Sequence, residues 1–169
     1  NAFWHDLERA YRRHQSSGCL TMETLREIKR LRLMAIEAEL DGATKLKRIK
    51  LADLRLIFNG IGSDKFPEKI RKLLDKLNPT LMPVALIHDT EWHESDNSMK
   101  KFTESNTRFK KNGYKIAKYR YCFLDPRRYL VMWQARKFGN LCQLFGWSAW
   151  TAPCECAICK AKRRKGKKK

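Results

Sequence analysis

Apolar positions recur at helical intervals along most of the chain. Phe3, Leu7, Ala10 and Tyr11 predict a first helix over 3–14, closed by Ser16-Ser17-Gly18. Leu25, Ile28, Leu31, Leu33, Ile36 and Leu40 then form a stripe behind Thr21, a good N-cap, and Asp41-Gly42 ends it. A further helix runs from about Thr44 through Leu46, Ile49, Leu51, Leu54 and Phe58. Asn59 to Asp64 is the least helical stretch. Pro67 sits at the favoured first position of the next helix, which carries Ile70, Leu73, Leu74 and Leu77 on one face.

Asn78-Pro79-Thr80 predicts a turn, followed by a short apolar helix from Leu81 to Trp92 with Pro83 tolerated in its first turn. Ser95 to Ser98 breaks that helix, and Met99, Phe102, Asn106 and Phe109 begin another. Asn112-Gly113 predicts a cap or turn, and Tyr114 to Phe123 is ambiguous between helix and strand. Asp125-Pro126 opens a last helix through Leu130, Trp133 and Phe138, bent near Gly139, before the aromatic-rich stretch Leu141 to Trp150. Phe123 and Trp133 are assigned to the core and the neighbouring charges to the surface. The fold class that follows is all-α: a small helical domain with a Gly-rich loop between helices and a basic C-terminal tail.

Composition sets the scale. With 169 residues, 43% of them hydrophobic, the chain can bury one ordinary core. Lys and Arg number 37 against 18 Asp and Glu, for a net charge of +19. Such a balance says nothing about fold but attracts nucleic acid, anionic lipid or an acidic partner. The segment Lys160 to Lys169, with Lys162, Arg163, Arg164 and Lys165 at its centre, holds eight basic residues and no acid; subtracting it leaves +11 on the rest. No apolar run approaches the roughly 18–20 residues of a membrane span, and the N-terminus shows no secretory-signal pattern.

The six cysteines do not read as a secreted disulfide framework. A reducing compartment or a virus or phage particle is the expected setting. Cys154-x-Cys156-x-x-Cys159 has the close spacing of a zinc site, with Cys142 or Cys122 as candidate fourth ligands, although three clustered thiols make only part of one. Reduced surface thiols are the competing reading. Lys110, Lys111, Lys115, Lys118 and Arg120 interleave with Tyr114, Tyr119 and Tyr121, a pattern in which the cations neutralise phosphates and the aromatics stack on nucleic-acid bases or sit at a lipid interface.

One constellation carries candidate chemistry. Gly60-x-Gly62 lets backbone carbonyls turn inward, which suits an ion that prefers oxygen ligands in a flexible shell. A later helix presents His88 beside Asp89, so that a carboxylate can hold the ion while a neutral imidazole takes a proton from water. Bland readings stand beside this one. The two glycines also fit a helix C-cap and a turn, and His88 follows Val84 and Ala85 on an apolar face, where core histidines occur. Asp89, His93 and Asp96 fall at i, i+4 and i+7, a third arrangement that could ligate a transition metal if the helix ran that far.

The run Phe58-Asn59-Gly60-Ile61-Gly62, the helix Val84-Ala85-Leu86-Ile87-His88-Asp89-x-x-Trp92 and the later Ser105-Asn106-Thr107-Arg108-Phe109 together resemble the phospholipase A2 superfamily. The nearest versions are the disulfide-poor ones of parvovirus capsid proteins and bacteriophage-encoded proteins. The resemblance spans about residues 58 to 112. It implies a core over 58–150, an N-terminal helical extension over 1–57 and a Cys-containing basic tail over 151–169. It further implies calcium-dependent phospholipid ester hydrolysis, with His88 as general base and Asn59, Gly60, Gly62 and Asp89 around calcium. Its partners would be an anionic phospholipid surface or nucleic acid, with virion proteins alongside.

Two positions depart from the family pattern. Trp92 replaces a Tyr, and Asn106 replaces the Asp that would orient the histidine, leaving Asp96 as an alternative partner. The competing function is a non-enzymatic nucleic-acid-binding or virion-assembly protein.

Overall fold

The computed structural model describes residues 22–58, 60–61 and 68–152. The predicted helix over 3–14, the Thr21 cap and Pro67 lie outside them. Among the described residues there are eight α-helices, one short 3-10 turn and no strand. In chain order they are α1 (Met22–Glu37), α2 (Ala43–Leu46), α3 (Leu51–Ile57), α4 (Glu68–Leu77), the 3-10 turn Pro79–Leu81, α5 (Met82–His93), α6 (Met99–Arg120), α7 (Pro126–Phe145) and α8 (Trp147–Thr151). The all-α expectation is met.

Local chemistry explains most boundaries. Ser98 caps α6 by accepting from the Lys101 amide, and Asp125 caps α7 by accepting from the Arg127 amide, with Pro126 at N1. Gly42, at φ +91°, turns the chain between α1 and α2 in the left-handed region that favours glycine. The helix expected from Thr44 to Phe58 is divided in two at residues 47–50. There the side chain of Arg32, on α1, donates to the Ile49 carbonyl at 3.2 Å, taking up a backbone acceptor that the break leaves over.

Burial places α5 at the centre. Val84, Ala85, Leu86, Ile87 and His88 are all buried, which is why its apolar residues surround the axis instead of forming a stripe. Ile28, Leu31 and Ala35 of α1, Leu46 of α2 and Leu54 of α3 join Leu81, Val84, Leu86, Phe109, Ile116, Val131 and Ala135 in one core cluster. The helices before residue 58 therefore share their core with those after it.

The junction of α6 with α7 departs from the pattern-based expectation. Asn112-Gly113 is no turn: α6 runs unbroken through it to Arg120, which also settles Tyr114 to Arg120 as helix. Both residues serve tertiary contacts instead. The buried Asn112 side chain accepts from the Asp41 amide at 2.8 Å and donates to the Asp41 carbonyl at 2.9 Å, completing the backbone pairing of the α1–α2 turn. A Cβ at Gly113 would stand 2.1 Å from the Cβ of Ala135 on α7. The pair Asn-Gly reads as a turn locally, and a helix crossing overrides it.

Phe123 and Trp133, expected in the core, are instead 68% and 58% exposed. On α7 the residues facing inward are Val131, Ala135 and Gly139, so Trp133 points away from the core.

Gly113→Ala provides a test. In an ordinary helix interior this change stabilises by roughly 1 kcal/mol. Here the added methyl meets a fixed Cβ, so we expect a net loss of about 1–3 kcal/mol from overpacking, read as a lower urea midpoint with an unchanged m-value.

Candidate functional site

His88 lies in the second half of α5, which packs against α1, α3 and α6, and its side chain is buried. Its neighbours are aromatic: the ring centroid of Trp92 is 5.0 Å away and that of Phe109 5.1 Å. Trp92 in turn packs against Phe102 and Trp150, and Phe102 against Trp147, so α8 closes an aromatic wall behind the histidine. Trp92 thus keeps the aromatic body of the expected Tyr and contributes no hydroxyl.

The first turns of α6 bring Asn106 to this wall. His88 Nε2 lies 3.0 Å from Asn106 Oδ1. Asn106 Nδ2 donates to Gln143 Oε1 at 3.1 Å, and Gln143 Nε2 donates to Thr103 Oγ1 at 3.3 Å. With its amide nitrogen committed to Gln143, Asn106 presents only an acceptor to the ring. Nε2 must then carry the proton, and Nδ1 is the basic nitrogen. Gly139 makes the approach possible: a Cβ there would fall 3.2 Å from the Asn106 carbonyl oxygen and 2.4 Å from Lys110 Cγ.

Burial is the leading influence on the imidazole and lowers its pKa, against smaller opposing effects from the Asn106 hydrogen bond and the charge of Glu91. His88 is therefore neutral at neutral pH. Glu91 is itself paired with Arg108 of α6. Asp89, the next residue, is half-buried. Burial, with the Asp89 carboxylate adding to it, pushes the Cys142 thiol up to about 11, so this cysteine is an un-ionised thiol.

The remaining expected site residues divide into those brought here and those held elsewhere. Asp96 does not reach His88. Its carboxylate accepts from the Ser98 amide at 3.1 Å and from Lys101 Nζ at 2.6 Å, at the mouth of α6. Because α5 ends at His93, Asp89, His93 and Asp96 do not share a helical face, and no group of three His, Cys, Asp or Glu residues suited to a metal occurs among the described residues.

Gly60, at φ +83°, lies against Asp75 of α4, where a Cβ would come within 2.5 Å of the carboxylate; the Ile61 amide donates to Asp75 Oδ1 at 2.7 Å. The contacts that fix this part of the glycine loop run to Asp75. Asn59 and Gly62 lie outside the described residues, as do Cys154, Cys156, Cys159, Lys162, Arg163, Arg164 and Lys165. Of the expected calcium ligands, Gly60 and Asp89 lie among the described residues, Asp89 supplying a carboxylate.

The expected contact lysines are partly occupied. Lys111 and Lys115 both reach Asp41, at 2.9 and 2.6 Å, holding that carboxyl below the usual range, and Lys115 also donates to the Glu39 carbonyl. Lys110 reaches Asn140 at 3.3 Å and Arg120 donates to Met34 Sδ at 3.7 Å, while Lys118 is exposed. Pattern reading missed Gln143, Thr103 and Asp75, since a polar residue on a helix surface carries no mark of the helix it will meet.

No family model, curated protein or solved structure matches the chain.

Because the folded state holds His88 below its ordinary 6.5, the unfolded chain binds more protons as acid is added. Stability is present above pH 6.5 and is lost as pH falls from there toward the lowered value, with a slope of up to about 1.4 kcal/mol per pH unit in that window. Urea midpoints between pH 7.5 and 5.5 should fall, and His88→Gln should flatten the His88 part of that fall.

Proposed function

We propose that the chain is a phospholipase A2-like hydrolytic domain in which His88 Nδ1 takes a proton from a water that attacks a phospholipid ester. The observation that carries this reading is the 3.0 Å pair of a buried, neutral His88 with Asn106, made by two helices in the order that the family resemblance implies. The ring is oriented through Nε2, leaving Nδ1 as the base, and the aromatic wall of Trp92 and Phe109 restricts ring rotation. Calcium belongs to the same proposal through Asp89; when bound, such an ion polarises the ester carbonyl.

Asn106 limits the rate. An amide oxygen fixes the ring, yet it carries no charge to stabilise the imidazolium formed when the proton arrives. In serine proteases the Asp-to-Asn change costs about 10⁴ in turnover, part of it from a reversed tautomer. That part does not apply to the hydrogen-bond direction seen here, so the loss attributed to Asn106 is the electrostatic remainder.

A lipid surface as partner is supported by α7. Leu130, Trp133, Leu141, Leu144 and Phe145 are exposed along it, and the helix carries Arg127, Arg128, Arg136 and Lys137 with no acidic residue. Apolar side chains flanked by cations are what an anionic membrane interface accepts. Acylglycerophospholipids in such a surface are the proposed substrate class, and association with a virus or phage particle is part of the same proposal. The burial of His88, at 8% exposure, favours a second reading, a non-enzymatic basic module that binds nucleic acid or other virion components.

Fatty-acid release from mixed anionic vesicles decides between them. The hydrolase reading expects slow release that requires calcium, is abolished by His88→Ala and rises at least about tenfold in Asn106→Asp. A folded protein with no release from pH 6 to 9, in either the wild type or Asn106→Asp, overturns it. Salt-sensitive binding to nucleic acid would then support the second reading.

A further inference from the structure

The hydrogen-bonded chain from His88 to Thr103 has two self-consistent directions. In the one that the amide placement gives, every donor runs outward: Asn106 Nδ2 to Gln143 Oε1 and Gln143 Nε2 to Thr103 Oγ1, so that the ring N–H is directed to the acceptor Asn106 Oδ1. In the reverse, both amides are turned over and the Thr103 hydroxyl donates inward. Asn106 would then present an N–H to a bare Nε2, and the ring proton would move to Nδ1, the position the proposed base requires to be free.

We propose that Gln143 is the positioning residue that selects between these directions and so sets the tautomer of His88. Its place in the fold supplies the bias. Asn106 is 1% exposed, whereas Gln143 is half-buried and Thr103 is exposed. With the Gln143 NH₂ turned outward, one hydrogen meets Thr103 and the other faces the exposed side, while its carbonyl satisfies the buried Asn106 donor. Turned inward, the same NH₂ would offer two hydrogens to a single buried acceptor and leave one without a partner, an unfavourable outcome for a desolvated donor. The inference rests on the hydrolase reading only for what Nδ1 then does.

The test reads the tautomer directly by ¹⁵N-resolved NMR of the imidazole rings in the full chain at pH 7.5. The four histidines are separated by the signal lost in His88→Gln. Wild-type His88 should be the Nε2–H form. Gln143→Glu offers only acceptors at this position and should keep that form. Gln143→Leu removes the bias and should shift the tautomer ratio toward Nδ1–H by about fivefold. Gln143→Lys offers only donors and should favour the Nδ1–H form.

Circular dichroism confirms folding of each variant, and the partial exposure of Gln143 makes all three substitutions compatible with the fold. A wild-type Nδ1–H form, or the same tautomer in Gln143→Leu and Gln143→Lys as in wild type, overturns the proposal. Hydrolysis plays no part in this readout. A tautomer that follows residue 143 in a protein without esterase activity upholds the role of Gln143 and removes the hydrolase reading alone.

Discussion

Helices α6 and α7 lie together where two glycines lack a Cβ. At Gly113 the space is taken by Ala135, and at Gly139 by the Asn106 carbonyl and the Lys110 side chain. Glycine in a helix interior costs roughly 1 kcal/mol relative to alanine, and the close contact it permits offsets that cost with dispersion and buried area. The site depends on this approach. Asn106 projects from α6 and Gln143 from α7, and their amides meet only because the two backbones can draw near. The same helix α6 is tied at Asn112 to the Asp41 turn, so one element links the N-terminal helices, the central α5 and the aromatic wall.

Within that frame the histidine is held by amides. A carboxylate would orient the ring and also stabilise its cation; an amide does the first without the second. Burial adds to this asymmetry by favouring the neutral ring. His88 is therefore held in its neutral form and is poorly suited to hold an added proton. The Asn106 chemistry and the aromatic enclosure both act on the imidazole, one through direction and the other through desolvation.

The outer face of α7 presents the opposite condition. Trp133, Leu141, Leu144 and Phe145 lie outward while the inner positions of the same helix are Val131, Ala135 and Gly139. The close crossing requires small inner residues, so the larger apolar side chains of α7 fall on its other face. Lys137 lies over the Trp133 ring at 5.6 Å and Arg128 over Phe123 at 5.7 Å, a mixed cationic and aromatic surface.

The helical class, the caps at Ser98 and Asp125, the break at Gly42 and the central burial of α5 follow from local rules: periodicity, side-chain acceptors for free amides, and backbone conformations that favour glycine. The pairing of His88 with Asn106 was also legible, through motif order. The sequence by itself determined the all-α class and the position of most helices, and it named His88 and Asn106 as candidates to meet. Tertiary structure alone decided that Asn112-Gly113 stays helical, that Trp133 faces outward, that Asp96 binds Lys101 and that Gln143 completes the amide chain. Each of these is set by which helix lies opposite. Contact across helices depends on distance in space, and the periodicity of one helix carries no record of its neighbour's register.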